Sequence, residues 1–255
     1  MTKGSILMIG NYLAIPRHNK NIWHGLAENL TRNGWNVITT STKECQFLRL
    51  VDMLSSILIN RYRYEIAQID VFSGRAFIFA ELACLCLRLI KKPIILTLHG
   101  GRLPEFAKRN QVRMKLLLNR ADLVVTPSPF QQKNLYRYRS DIRVIPNPIE
   151  LTSSIFRLRR TVKPNLVWVR AFHETYNPSL AVKVLDQILK DYPDAKITMI
   201  GPDKGDGSLT RLLSLAKGLG IDDRVTIIPG VPNVKIPFFL DQNDICRRRL
   251  LWPKI

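Results

Sequence analysis

The sequence predicts an α/β protein made of two doubly wound parallel sheets, the second incomplete. Three observations carry this. Short runs rich in Ile and Val alternate with longer helical periods from the N-terminus to about residue 145, and the same alternation restarts at Pro164. Between the two series lies Arg143-Val144-Ile145-Pro146-Asn147-Pro148-Ile149. This is a stiff joint, because each proline fixes its own φ and forces the preceding residue toward extended backbone.

In the first series, strands are expected over residues 5–9, 35–40, 65–71, 93–98, 122–126 and 141–145. Each is short and apolar, as a parallel strand covered on both faces must be. Helices are expected near residues 20–33, 43–61, 75–91, 104–119 and 128–138. Gly34 follows the first helix where a left-handed cap belongs, and Lys91-Lys92-Pro93 ends the third with positive charge and a breaker. Residues 151–162 have no sustained period and read as linker. The second series gives strand 165–169, helix 178–191, strand 195–200, helix 208–219, strand 224–228 and a short helix near 234–241. Asn243-Asp244-Ile245 looks like the start of a fourth strand, which Cys246-Arg247-Arg248-Arg249 replaces, since three arginines inside a buried strand would be unpaired charges. The expected division is a domain at 1–150, a partial domain at 163–245 and an aberrant basic tail at 246–255.

With 255 residues, 46% of them hydrophobic, the chain can bury genuine cores. Its formal net charge of +19, with +12 in residues 1–150, calls for an anionic partner: nucleic acid, an acidic bilayer surface or a phosphorylated small molecule. The apolar run Ser5 to Ile9 is too short for a signal-peptide core, and Ala76 to Ile90 carries Glu81 and Arg88 and is too short to span a bilayer. Four cysteines, at positions 45, 84, 86 and 246, lack zinc spacing and read as buried free thiols of a reducing compartment. No P-loop, HExxH, GxSxG or G-x-G-x-x-G pattern is present, so a dinucleotide fingerprint is excluded.

Ligands of open parallel sheets gather at the carboxyl ends of strands. Leu96-Thr97-Leu98-His99-Gly100-Gly101 ends the fourth strand with a histidine beside permissive backbone, suited to a phosphate or a sugar hydroxyl; the plainer reading is a histidine that caps a turn. Val167-Trp168-Val169-Arg170 delivers a guanidinium whose fork suits a diphosphate, or else a solvated arginine. Met199-Ile200-Gly201-Pro202-Asp203 ends the next strand with a glycine that permits close approach, or forms an ordinary strand-to-helix turn. The opening turn Gly10-Asn11-Tyr12-Leu13 follows the first strand and is expected to line a ligand cleft there as well. From Arg102 to Arg143, ten basic residues face three acidic ones, and Lys108, Arg109 and Arg113 alternate with Phe106, Val112, Met114 and Leu116. That is the pattern of an amphipathic basic helix, of the kind that lies on anionic membranes, or of a solvated face.

Taken in order, Thr97-Leu98-His99-Gly100, Ala121 to Ser128, Arg143 to Ile149, Arg170-Ala171-Phe172, Ile197 to Gly201 and Val225 to Gly230 resemble the retaining GT-B glycosyltransferases of the group 1, or family 4, kind. The resemblance covers about residues 1–245 and implies two Rossmann-like lobes. It implies an acceptor held mainly by the first lobe, with Gly10, Asn11, His18 and Gly100 along its loops, and a nucleotide-sugar donor held mainly by the second. It assigns His99 to the reaction centre, Arg170 to the donor diphosphate, and Gly201, Pro202 and the Gly230-Val231 turn to the nucleoside. It implies no metal and no cofactor, leaving-group charge being met by basic side chains and helix dipoles. The acceptor would be a glycan or a lipid-linked molecule, the setting cytoplasmic with peripheral contact to the inner membrane face. The chain departs from the family pattern in three places. Thr175 and Tyr176 occupy the places of the usual lysine downstream of the arginine, and Arg17-His18-Asn19 replaces a glycine pair. The family's second lobe also continues past the point where this sequence stops, into a segment bearing paired glutamates, so the resemblance implies a C-terminally truncated copy with impaired transfer. Outside it stand two further readings: a non-catalytic basic module binding nucleic acid or anionic membrane, and a sugar-nucleotide epimerase of related fold.

Overall fold

The computed structural model describes residues 3–10, 22–148 and 158–246, and divides the chain into two units, Met1–Ile149 and Glu150–Ile255. In the first unit the strands β1 (Gly4–Ile9), β2 (Trp35–Thr40), β3 (Ile66–Val71), β4 (Ile94–Leu98), β5 (Leu123–Thr126) and β6 (Arg143–Val144) form one parallel sheet in the order β2-β1-β3-β4-β5-β6. The strand order reverses between β1 and β3, which makes the carboxyl ends of those two strands the place where a doubly wound sheet opens a crevice.

Period-two alternation sends side chains to opposite faces of the sheet. Ile6 and Met8 of β1 pack under α1 (Ile22–Arg32) with Trp23, Leu26 and Leu30. Leu7 and Ile9 enter the larger core on the other face, beneath α2 (Gln46–Ile59), α3 (Phe77–Leu89), α4 (Leu103–Arg109), α5 (Gln111–Asn119) and α6 (Pro129–Leu135). A single 3-10 turn, Gly74–Ala76, leads into α3. Gly34 has the expected left-handed backbone, φ 86°.

The second unit carries β7 (Asn165–Val169), α7 (Pro178–Leu189), β8 (Lys196–Ile200), α8 (Ser208–Gly218), β9 (Val225–Ile228), α9 (Ile236–Gln242) and β10 (Ile245–Cys246), its sheet ordered β10-β7-β8-β9. Leu166, Trp168 and Met199 pack with Val182, Leu185 and Leu212 of α7 and α8.

Four expectations are corrected. The basic stretch 104–119 is two helices broken at Asn110, whose backbone leaves helical geometry (φ −129°, ψ 52°) while its side chain donates to Phe106 O. The last strand of the first sheet is two residues long, not five. A fourth strand does form in the second sheet, because Asp244 N donates to Asn165 O and sets Ile245 and Cys246 beside Leu166 and Val167 before the arginines begin. Cys45 is exposed rather than buried, whereas Cys84 is buried. Residues 247–255 of the basic tail, and 149–157 of the joint and linker, lie outside the described residues.

Candidate functional site

In the first unit the site is built at the ends of β1, β3 and β4. His99 follows β4 directly and its N–H donates to Val71 O at 2.9 Å, which ties it to the end of β3. The residue is 6% exposed, and Nε2 lies 3.1 Å from Asp70 Oδ1. Gln68, two residues back on the same face of β3, donates from Nε2 to Thr97 Oγ1 at 3.0 Å and to Asp70 Oδ1 at 3.4 Å. Burial pushes the Asp70 carboxyl above the usual carboxylate range, against the opposing pull of His99 and Gln68. Two aromatic rings enclose the imidazole: Trp23 edge-on at 4.3 Å between centroids and Phe72 stacked at 5.5 Å.

Gly100 comes next with φ 85°, a left-handed conformation that glycine adopts without a Cβ clash. Its carbonyl accepts from Gln131 Nε2 at 2.6 Å, and Gln131 Oε1 accepts from Thr126 Oγ1 at 2.7 Å. Gly10 is locked to the end of β2 by reciprocal backbone bonds with Thr40 and Ser41. At this switch point a cavity of about 180 Å³ opens, lined by Ile9, Gly10, Arg49, Asp70, Phe72 and Phe79 among others. Asp70 thus touches His99 and lines this cavity together with Gly10, while Gly100, next to His99, is held by Gln131. Asn11 and His18 lie outside the described residues.

In the second unit the ends of β7, β8 and β9 converge. Arg170 N donates to Ile200 O, Gly201 N to Ile228 O and Phe172 N to Pro202 O, at 2.9–3.1 Å. A Cβ on Gly201 would fall 1.6 Å from Arg170 O, so the bare backbone here accommodates the neighbouring strand end itself. Gly230, just before Val231, sits against Pro202 in the same way, its would-be Cβ 3.2 Å from the proline ring. Arg170 is exposed, with its guanidinium carbon 5.6 Å from the Tyr176 ring centroid. Arg170, Gly201, Pro202 and Gly230, the last just before Val231, therefore gather at the carboxyl ends of β7, β8 and β9.

Beside them, the loop after β8 folds around Asp206. It accepts from Glu174 N at 2.8 Å and Ser208 N at 3.1 Å, and these amide donors pull its carboxyl down to about 2. His173 Nδ1 accepts from Thr175 N, which turns Nε2 toward Asp206 at 3.8 Å. Arg211 of α8 reaches Glu174 at 2.7 Å. Among the described residues no group of three or more His, Cys, Asp or Glu side chains is gathered to hold a metal ion.

Sequence reasoning missed Asp70, Gln68, Trp23 and Phe72. The signal was present for two of them: Gln68 and Asp70 stand at alternate positions of a strand otherwise made of Ile, Ala and Val, and polar groups there must find partners. The arginines of the basic stretch are more committed than their spacing suggested. Arg113 forks onto Glu81, and Arg109 pairs with Glu105.

The model of Glycosyltransferase Family 4 matches residues 44–153. No curated protein matches the chain. Among solved structures, Anabaena Alr3699/HepE in complex with UDP and glucose aligns over 95% of this chain and 73% of its own, with TM-score 0.65 and 13% identity. The lipopolysaccharide outer core galactosyltransferase WaaB, in its apo form, aligns over 93% and 70%, with TM-score 0.59 and 15% identity. A glycosyltransferase from Rickettsia africae aligns over 94% and 71%, with TM-score 0.58 and 15% identity. At these identities the likeness establishes the fold. The chain has the GT-B fold, and the Glycosyltransferase Family 4 model covers residues 44–153 of it.

Proposed function

We propose that this chain transfers a sugar from a nucleotide-sugar donor to a glycan or lipid-linked acceptor, with the anomeric configuration retained. The observation that carries the reading is the His99–Asp70 pair inside the family-matched domain. A strand-end imidazole held at 3.1 Å by a buried carboxylate and boxed by two rings is preorganised for a ligand rather than left to rotate. UDP in HepE favours a uridine diphosphate donor here.

In this reading Asp70 fixes the ring of His99, the residue assigned to the reaction centre, through Nε2. Arg170, at the strand edge that also holds Gly201, Pro202 and Val231, takes the diphosphate oxygens and meets the charge that builds on the leaving group. No metal or cofactor is assigned a role, and no lysine stands at Thr175 or Tyr176 to supply a second cation there. Gly10, Asn11, His18 and Gly100 belong to the acceptor side. The setting is cytoplasmic with peripheral contact to an anionic membrane. No helix among the described residues is long and apolar enough to cross one.

The test is calorimetric titration of the whole chain with UDP and UDP-glucose, followed by transfer from radiolabelled donor to a panel of glycan and polyprenyl-linked acceptors. Saturable UDP binding and acceptor-dependent label transfer are expected. Absence of UDP binding at millimolar concentration would overturn the donor assignment. Epimerisation of the donor sugar without an acceptor would move the protein to the epimerase reading.

A further inference from the structure

We infer that the outer face of α2 and the groove at its C-terminal end dock the protein onto an anionic lipid surface. This localises the membrane contact proposed above and does not depend on the transfer reaction. At 3.6 residues per turn, Phe47, Val51 and Leu58 fall within about 40° of one another on α2, and Leu48 and Ile59 widen the arc to about 120°. All five are exposed, Ile59 at 77%, while Met53 and Ile57 on the opposite side are buried in the core. Tyr62, just past the helix, is 86% exposed. A single exposed Leu or Phe is ordinary, but five exposed apolar side chains gathered on one arc of a surface helix, with Ser55 the polar residue among them, mark an interaction site.

The charges around the stripe identify its occupant. Between residues 43 and 63 the basic side chains are Lys43, Arg49, Arg61 and Arg63, and the acidic ones are Glu44 and Asp52. Asp52 accepts from Thr40 Oγ1 at 3.2 Å and is turned toward the sheet. Beyond the C-terminal end of α2 lies a groove of about 670 Å³, lined by Arg61, Tyr62, Ile90 and Lys91 with Glu65 as its only acid. The neighbouring α3 adds exposed Leu89. Apolar side chains that can enter the acyl boundary, the aromatic hydroxyl of Tyr62 and the exposed cations Lys43, Arg61, Arg63 and Lys91 at the two ends of the helix together fit an anionic bilayer. A second copy of this chain fits poorly, since two molecules of net charge +19 repel. The face lies on α2, not on the basic stretch 104–119, where Arg109 and Arg113 are already paired and the helix is broken.

The experiment is flotation of the full chain with vesicles of phosphatidylcholine alone and of phosphatidylcholine mixed with phosphatidylglycerol, at low and raised salt. The wild type is expected to float with the anionic vesicles only, and less at raised salt. Arg61→Gln with Arg63→Gln should lower partitioning by roughly 25-fold, about fivefold per cation. Phe47→Ser, Ile59→Ser and Tyr62→Ser together should lower it by on the order of a hundredfold. Val112→Ser with Leu116→Ser on α5 should change nothing. The proposal falls if the wild type does not float, if it binds neutral vesicles equally, or if the α5 variant loses as much as the α2 variants. It also falls if sedimentation equilibrium finds a dimer that the α2 serine variants dissolve, which would make the face a contact between copies. UDP titration of the same variants keeps this outcome separate from failure of the donor assignment.

Discussion

The two sheets end in different ways. In the first unit the strand ends present side chains: His99, Asp70, Gln68 and Thr97 form a chain of polar contacts, buried and walled by Trp23 and Phe72. In the second, the strand ends present backbone: Arg170 bonds Ile200, Gly201 bonds Ile228 and Pro202 bonds Phe172 through the main chain, Arg170 O lies so close that no Cβ fits at Gly201, and the cation stands in solvent. A buried polar network holds its side chains in one orientation, since an unpaired member would cost a desolvation penalty. Bare backbone at a strand end instead shapes a surface on which an exposed cation and a helix N-terminus can hold an anion. Orientation is specified in the first unit and charge is presented in the second.

The contrast can be broken at single residues. The largest expected effect is Gly201→Ala. Its Cβ would sit 1.6 Å from Arg170 O, so the strand ends must separate, and equilibrium denaturation should show a loss of more than about 4 kcal/mol. The matched change in the first unit, Gly100→Ala, meets nothing within 4 Å and bears only the left-handed backbone strain, about 1–2 kcal/mol. Equal losses at the two positions would erase the distinction.

Arg170→Ala should leave the fold intact and weaken UDP binding by about tenfold to a hundredfold, the loss of one charge-assisted contact worth roughly 1.5–3 kcal/mol. Unchanged affinity by calorimetry would remove Arg170 from the diphosphate.

Asp70 sharpens the other side of the comparison through pH. Its folded pKa is raised, with burial as the main cause, so its favourable contribution is complete below the unfolded value near 3.8 and is lost as pH rises through the raised folded value. Amide protection factors in β3, corrected for the intrinsic pH dependence of exchange, should therefore fall over that rise in the wild type and stay flat in Asp70→Asn. The smallest expected effect is chemical. Exposed Cys45, its thiol lowered by the amides of Leu48 and Phe47, should react with a maleimide at neutral pH well before buried Cys84, whose thiol is pushed up to about 11. Mass spectrometry of the labelled peptides reads the order directly.

The architecture was legible in the sequence because parallel strands bury both faces and so announce themselves as Ile and Val runs. Val124, Val125, Ile197 and Met199 lie where those runs placed them. What failed was local. Continuous helical periodicity across 104–119 hid the break at Asn110, since apolar spacing survives a one-residue kink between two helices on the same core. The arginines after Cys246 argued against a fourth strand, yet two residues of pairing fit before them. At the site, His99 and Arg170 were visible as polar residues ending apolar strands. Asp70 was not singled out because it lies within a strand, and only its register beside Thr97 and the turn of His99 back toward β3 bring the three together. The wall of Trp23 comes from α1, a helix distant in sequence, and local spacing carries no trace of it.

The central claim is that an imidazole fixed by Asp70 serves transfer from a donor held through Arg170. Single-turnover transfer from radiolabelled UDP-glucose, compared between the wild type and His99→Ala with UDP affinity measured alongside, tests it most directly. The expected result is a rate lower by about 10²–10⁴ in the variant with donor affinity nearly unchanged. Equal rates in the two proteins would contradict the account.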